Sequence, residues 1–228
     1  MKPEHSIIFL TFNQAELIDQ RLDEVDQYLG RRHDFEVVVL NNGSTDRGVG
    51  LALYARSMLV NWPMILGSPK KNKGFGPGFN HAVKLSTGRI IYLISDDVKI
   101  FGDFIDSAVG PRSDEVICQR IIEPGAGWND FPELSVRYPE GHFLAMERDL
   151  WDELGGFDPR YKPHDYEDVD LGMRIIKQNK IMTAMPDLPI RHLVAGTIGY
   201  TPERMEHTIK MRAKFAEKWG LTNEPERP

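Results

Sequence analysis

Apolar positions along the chain follow two rhythms. "SIIFLTF" (residues 6–12), "FEVVVL" (35–40), "WPMILGS" and "RIIYLIS" (89–95) are short, β-branched and nearly unbroken, as in strands buried on both faces. Helix-compatible segments separate them. "NQAELIDQRLDEVDQYL" puts Ile18, Leu22, Val25 and Leu29 on one stripe, with Asn13 as the expected N-cap. A second helix is expected from about Arg47 to Met58, and a third in "GFNHAVKLSTG", closed by Gly88 as its C′ residue. This βαβαβαβ order predicts a mostly parallel sheet with helices on both faces and right-handed crossovers. Such sheets bind ligands beyond the carboxyl ends of their strands, where the polar turns "TFN", "NNGSTD" and "SDD" fall.

The second half is less regular. "EVICQRII" reads as a strand, "GAGWNDFPEL" as a loop, and "GHFLAMERDLWDELGGFDPRY" as a strand, a short helix and a turn. A last amphipathic helix begins near Pro202 and closes at Gly220, and "NEPERP" is expected to be a frayed tail. No internal repeat or Pro-, Gly- or Ser-rich linker divides the chain, so a single domain over residues 1–228 is expected.

"HDYEDVDLGMRIIKQ" gathers His164, Asp165, Glu167, Asp168 and Asp170 ahead of its first basic residue, Arg174. Carboxylates so placed repel unless a cation, a shared proton or a helix N-terminus offsets the cost. Val169, Leu171, Met173 and Ile175 alternate with polar residues or glycine as in a strand. A helix is nevertheless expected, capped by Asp165, with Tyr166, Val169, Met173 and Ile176 on one face.

Composition narrows the class. With 41% hydrophobic and 27% charged residues the chain is ordinary for a globular protein. Lys plus Arg number 28 against 34 Asp plus Glu, a net charge of −6, which argues against a dedicated nucleic-acid binder. The basic run "PKKNK" (69–73) is too small to change that. Cys118 is the sole cysteine, which excludes an intrachain disulfide framework or cysteine metal cage and fits a reducing compartment. No run approaches the ~20 apolar residues of a membrane span, and the N-terminal apolar run is too short for a signal peptide. A soluble, cytoplasmic protein is expected.

Taken together and in order, "TFN", "NNGSTD", "NKGFGPGFNHAV", "SDD", "GGFDPRY", "EDVDLGMR" and "RHLVAGTIG" resemble the motifs of the inverting glycosyltransferases of family 2, over roughly residues 6–199. The resemblance implies a GT-A fold. A nucleotide-sugar-binding half would span about 1–98 and a catalytic, acceptor-side half about 99–200, with a C-terminal helix and tail over 201–228. It also implies transfer of a sugar from a nucleoside diphosphate sugar, a UDP-sugar foremost, to a hydroxyl on a glycan, lipid-linked sugar, protein or modified nucleic acid. Thr11, Phe12, Asn13, Asn41 and Asp46 would hold the base and ribose. Asn41 stands where the family often has Asp, so it would accept a base N–H without a charge. By itself "NNGSTD" reads first as a turn into a helix capped by Ser44 or Asp46, ahead of a donor-binding role.

In the same reading the backbone from Gly74 to Gly78 approaches the donor, Asn80 points inward and Lys73 offsets diphosphate charge. "SDD" corresponds to the metal-binding DxD motif, with Ile94 where a common family form has Asp. Ser95 and Asp96 would face ribose or sugar. Asp97 foremost, Asp96 as the other choice, and His192 would bind Mn²⁺ or Mg²⁺ to neutralise the leaving diphosphate. A structural role for His192 is an equal alternative, and His164 is a weaker ligand candidate. Asp168 would be the general base, Glu167 would orient the site or contact the metal, and Asp170 would be structural. "GGFDPRY" would position the catalytic helix, and Trp128, Trp151 and Phe157 would either stack on sugar or belong to the core. The competing reading is a family member that binds nucleotide sugar without turnover, supported by Ile94 and Asn41.

Overall fold

The computed structural model describes residues 2–108, 111–123, 136–193 and 201–221. The expected loop "GAGWNDFPEL" with Trp128, the end of "RHLVAGTIG" and the tail "NEPERP" lie outside them. The first half is laid down as β1 (His5–Thr11), α1 (Ala15–Leu29), β2 (Phe35–Asn41), α2 (Arg47–Ser57), β3 (Met64–Gly67), α3 (Phe75–Leu85) and β4 (Ile90–Ser95). Then come β5 (Val98–Ile100), α4 (Phe104–Ser107), β6 (Glu115–Cys118), β7 (Ile121–Ile122), β8 (Tyr138–Pro139), β9 (Phe143–Glu147) and α5 (Arg148–Leu154). A 3₁₀ turn (Pro159–Tyr161) precedes α6 (Glu167–Lys177), β10 (Ile181–Ala184), β11 (Ile190–His192) and α7 (Pro202–Trp219).

Among the described residues the main sheet has the order β10-β6-β9-β4-β1-β2-β3. β4, β1, β2 and β3 pair in parallel, as expected. β9 runs antiparallel between β4 and β6, and β10 adds in parallel at the edge. Period-two alternation divides the strand side chains between two layers. Ile7, Phe9, Val37 and Val39 pack under Ile18, Leu22, Val25 and Leu29 of α1. Ile8, Leu10, Val38 and Leu40 pack under Phe79 and Val83 of α3, with Leu171 and Ile175 of α6 in the same cluster. Both faces are covered, which is why these strands read as unbroken apolar runs.

Several local expectations are corrected. Asn13 does not cap α1: Gln14 precedes that helix, and Asn13 turns back at φ 56°. Gly88 is not a C′ residue, because α3 ends at Leu85 with Ser86 extended. Gly88 instead passes against Ser6, where a Cβ would lie 2.6 Å from the hydroxyl. "EVICQRII" is two strands rather than one, since β6 stays in the main sheet while β7 leaves it to pair antiparallel with β8. Asp165 does not cap α6: Asp165 and Tyr166 both have positive φ, and the Asp165 carboxylate binds Arg204 and Thr208 of α7. α6 is buried on two sides, with Leu171 and Ile175 facing the sheet and Tyr166, Val169 and Met173 facing Phe215 of α7. That double burial produces the strand-like alternation of its sequence, and it leaves Ile176, expected on the apolar face, 43% exposed.

Candidate active site

The parallel register brings the polar strand ends to one edge: Thr11 lies opposite Asn41, and Leu10 opposite Ser95. Asn13 joins β1 to the turn after β2, its side-chain oxygen accepting from the backbone N–H of Thr45 and Asp46 at 2.8 and 3.1 Å. Its own N–H donates to the Ser44 hydroxyl at 2.9 Å. Asn41 accepts from Ser44 N–H at 3.1 Å, and Asp46 caps α2 by accepting from Gly48 N–H at 2.8 Å. Thr11 is buried and Phe12 half-buried beside this turn.

Two asparagines not singled out from sequence hold the next loop against β2. The buried Asn42 side chain accepts from Lys73 N–H at 3.0 Å and donates to the Gly74 carbonyl at 3.1 Å. Asn72 accepts from Gly74 N–H at 2.7 Å. Their doubled appearance in "NNG" and "NKG" was the available signal. Lys73 is exposed beyond them.

The glycines expected to precede α3 largely lie inside it, and each makes a close approach within the protein. Gly74, at φ 90°, would put a Cβ 2.7 Å from the Pro163 carbonyl oxygen. A Cβ on Gly76 would meet Phe157 at 2.9 Å, and one on Gly78 would meet Leu10 at 2.7 Å. Asn80 does not join the strand-end group: its amide donates to the Phe157 carbonyl at 2.7 Å and accepts from Phe157 N–H at 2.9 Å, fixing the "GGFDP" turn. Trp151 and Phe157 are core residues in edge-on contact, so neither is a platform for sugar.

Asp96 and Asp97 follow β4 directly and are 4% and 8% exposed. β5 carries the chain onward and pairs with β11, setting His192 opposite Val98. As a result His192 Nε2 lies 3.5 Å from Asp97 Oδ2. On its other edge, His192 Nδ1 is 4.0 Å from Glu140 Oε1. His142, which leads into β9, stacks on His192 with ring centroids 4.3 Å apart and planes 13° from parallel. Burial, reinforced by His192, holds His142 down at about 3, so this imidazole is neutral at ordinary pH. His164 sits away from this group, 3.1 Å from Asp165.

Gly141, immediately before His142, donates its N–H to Asp168 Oδ2 at 3.2 Å, and Asp168 Oδ1 accepts from Val169 N–H at 2.8 Å. Asp168 thus sits in the first turn of α6 with one edge toward solvent. Enclosure by protein raises it to about 7 against those N–H bonds, with the charges of Glu140 and Asp165 adding. Glu167 is 7% exposed, and its Oε2 is buried without a hydrogen-bond partner. Burial, with Asp168 adding, pushes Glu167 well above the carboxylate range. Asp170 is fully buried and structural, bound by Arg174 at 2.9 Å, Lys218 at 2.5 Å and Trp219 at 3.0 Å. The acidic stretch therefore contains a partly open carboxyl, a protonation-prone partner and a salt-bridged anchor.

A family model described as glycosyl transferase family 2 matches residues 6–162. Among solved structures, the mannosyltransferase PcManGT from Pyrobaculum calidifontis, in complex with GDP-Man and Mn²⁺, is 21% identical with a TM-score of 0.72. The alignment covers 100% of this chain and 66% of that one. TarS 1–349 of S. aureus in complex with UDP-GlcNAc is 18% identical with a TM-score of 0.59, covering 94% of this chain and 66% of that one. GalNAc-T7 with UDP, GalNAc and Mn²⁺ is 13% identical with a TM-score of 0.73, covering 95% and 48%. This chain thus spans just under two thirds or less of these neighbours' lengths, and the fold it shares with them is the GT-A fold. Among the described residues no helix is long and apolar enough to cross a membrane.

Proposed function

The chain belongs to glycosyl transferase family 2, and on that footing we propose that it moves a sugar from a nucleoside diphosphate sugar to an acceptor hydroxyl in one inverting displacement. Asp168 is the general base in this reading. It takes the hydroxyl proton as the acceptor oxygen bonds to the anomeric carbon and the bond to the diphosphate oxygen breaks on the opposite face. Glu167 keeps a proton and holds the first turn of α6 in place. Thr11, Phe12, Asn13 and Asn41 form the floor for base and ribose, with UDP the expected nucleotide, and Lys73 meets the diphosphate.

Asp97 and His192 fit a divalent ion, because a carboxylate oxygen and an imidazole nitrogen already face each other at 3.5 Å. An oxygen–nitrogen pair suits Mn²⁺ better than Mg²⁺, which prefers all-oxygen shells. Bound there, the ion would supply charge neutralisation for the leaving diphosphate. The observation that carries the reading is the Gly141–His142 dipeptide. One residue bonds the base candidate, and the next stacks on the histidine beside Asp97.

The test is thermal stability against UDP, GDP, dTDP and CDP, each with and without Mn²⁺. A ligand at ~100 times its dissociation constant stabilises by ~2.7 kcal/mol, a clear melting shift. UDP is expected to shift the melt and Mn²⁺ to enlarge the shift. If no nucleotide moves the melt, the donor assignment fails. With an acceptor in hand, an anomeric configuration retained in the product would exclude the single displacement.

A further inference from the structure

Glu140 and His142 belong to none of the motifs that mark the strand-end site, yet they converge with His192. The Glu140 carboxylate, both imidazoles and their ring nitrogens offer ligand atoms within 4.8 Å of one another. His142 Nε2 lies 2.9 Å from Gln119 Oε1, and Gln119 Nε2 donates to the Ile190 carbonyl at 2.8 Å. That second bond fixes the Gln119 amide, so its oxygen faces His142 and Nε2 of the imidazole must carry the hydrogen. Nδ1 is left as a lone pair, buried and without a hydrogen-bond donor. It faces Glu140 Oε2 at 3.5 Å, so two acceptors point at each other. Histidines that bind metals show this arrangement, with the outer N–H held by a fixed acceptor and the inner nitrogen aimed at the ion.

We propose that Glu140, His142 Nδ1 and His192 Nδ1 form a second divalent-cation site, separate from the Asp97–His192 Nε2 pair and selective for a late first-row ion such as Zn²⁺ or Co²⁺. Two imidazoles and one carboxylate are a donor set those ions take with an open position, and one that Mg²⁺ avoids. Arg120 grips Glu140 from outside at 2.8 and 3.1 Å, orienting the carboxylate while each oxygen keeps a further lone pair. The site borders a cleft of about 630 Å³ lined by Phe101, Gln119, Asp187 and Arg191, which gives an ion and its waters a way in. His192 closes the shell by rotating out of its stack on His142. A neutral imidazole binds through one nitrogen only, so His192 serves one site at a time, and filling the second site withdraws it from Asp97.

The direct test uses Co²⁺ alone, titrated into the chelator-treated full chain and followed by its visible absorption, so it does not depend on the transferase reading. Wild type is expected to develop a Co²⁺ band that saturates. Glu140→Gln and His142→Gln should each weaken the apparent affinity at least ~10-fold, while Asp97→Asn retains the band. Glu140 is partly exposed, so its variant reports on the site even if losing His142 disturbs folding. Titrations of Glu140→Gln that match wild type, or loss of the band in Asp97→Asn, overturn the proposal. A consequence that does rest on the transferase reading is antagonism. Zn²⁺ should reduce the Mn²⁺-dependent part of the UDP melting shift in wild type and leave it intact in Glu140→Gln.

Discussion

His142 lies flat on His192, ring centroids 4.3 Å apart and planes 13° from parallel, and this stack joins two parts of the site that lie 50 residues apart in the chain. His192 reaches it through the short β5–β11 sheet and His142 through the turn into β9. Gly141 bonds Asp168 and His142 stacks on the histidine beside Asp97, so a single dipeptide touches both ends of the candidate site.

Asp168 is raised to about 7, and a general base works only when ionised. In the proposed reaction kcat/KM should rise about tenfold per pH unit below that value and level off above it. Asp168→Asn should lower turnover by roughly 10²–10⁴-fold while the UDP melting shift persists. A variant that keeps wild-type turnover would remove Asp168 from the base role.

Glu167 titrates far above its unfolded value, so its proton is held by the folded state and lost by the unfolded state as pH rises. Its contribution is most favourable below the unfolded pKa and declines as pH climbs from there toward the raised folded value. Glu167→Gln keeps the shape and cannot ionise. Urea unfolding from pH 5 to 8 should therefore show a flatter stability profile for the variant, with its advantage over wild type growing with pH. A wild-type profile no steeper than the variant's would contradict the buried, protonated assignment.

The parallel core was legible because Ile7 to Leu10 and Val37 to Leu40 are buried on both faces, and that state leaves an unbroken local pattern. The place of β9 was not legible. "HFLAM" shows a strand, but no periodicity says that it inserts antiparallel between β4 and β6. Asn13 failed as a cap because its partners, Thr45 and Asp46, lie on another turn and reward a left-handed backbone that local rules assign to loops. The acidic stretch was legible as a place where chemistry concentrates. Its division of labour was not, because Asp170 is defined by Lys218 and Trp219, 48 and 49 residues away.

Asp97 and His192 can be separated by charge. Asp97→Asn should abolish the Mn²⁺-dependent part of the UDP melting shift and leave the metal-free part, since the neutral amide is a poor ligand for a hard cation. His192→Ala should weaken Mn²⁺ at least tenfold, about 1.4 kcal/mol, without eliminating it. Titrations of Mn²⁺ at fixed UDP read both. Equal Mn²⁺ dependence in wild type and Asp97→Asn would move the metal assignment to Asp96.

Asp170 anchors the C-terminal helix. Its buried carboxylate is shared by Arg174, Lys218, Trp219 and the Tyr161 hydroxyl, while Tyr166 and Val169 pack against Met211 and Phe215. Removing one partner of a buried ion pair leaves the other charges uncompensated, at a cost of about 3–5 kcal/mol. Asp170→Asn should therefore lower stability by that order in urea unfolding. Arg174 still donates to the Leu154 carbonyl and Lys218 still pairs with Asp158 at 2.8 Å, so the loss should stop short of unfolding the chain. Because α6 also carries Glu167 and Asp168, in the proposed reaction the same variant should lose turnover while the UDP melting shift, proposed to arise at the strand ends, is retained. A stability change below about 1 kcal/mol would mean that packing of α7, and not this carboxylate, holds the helix in place.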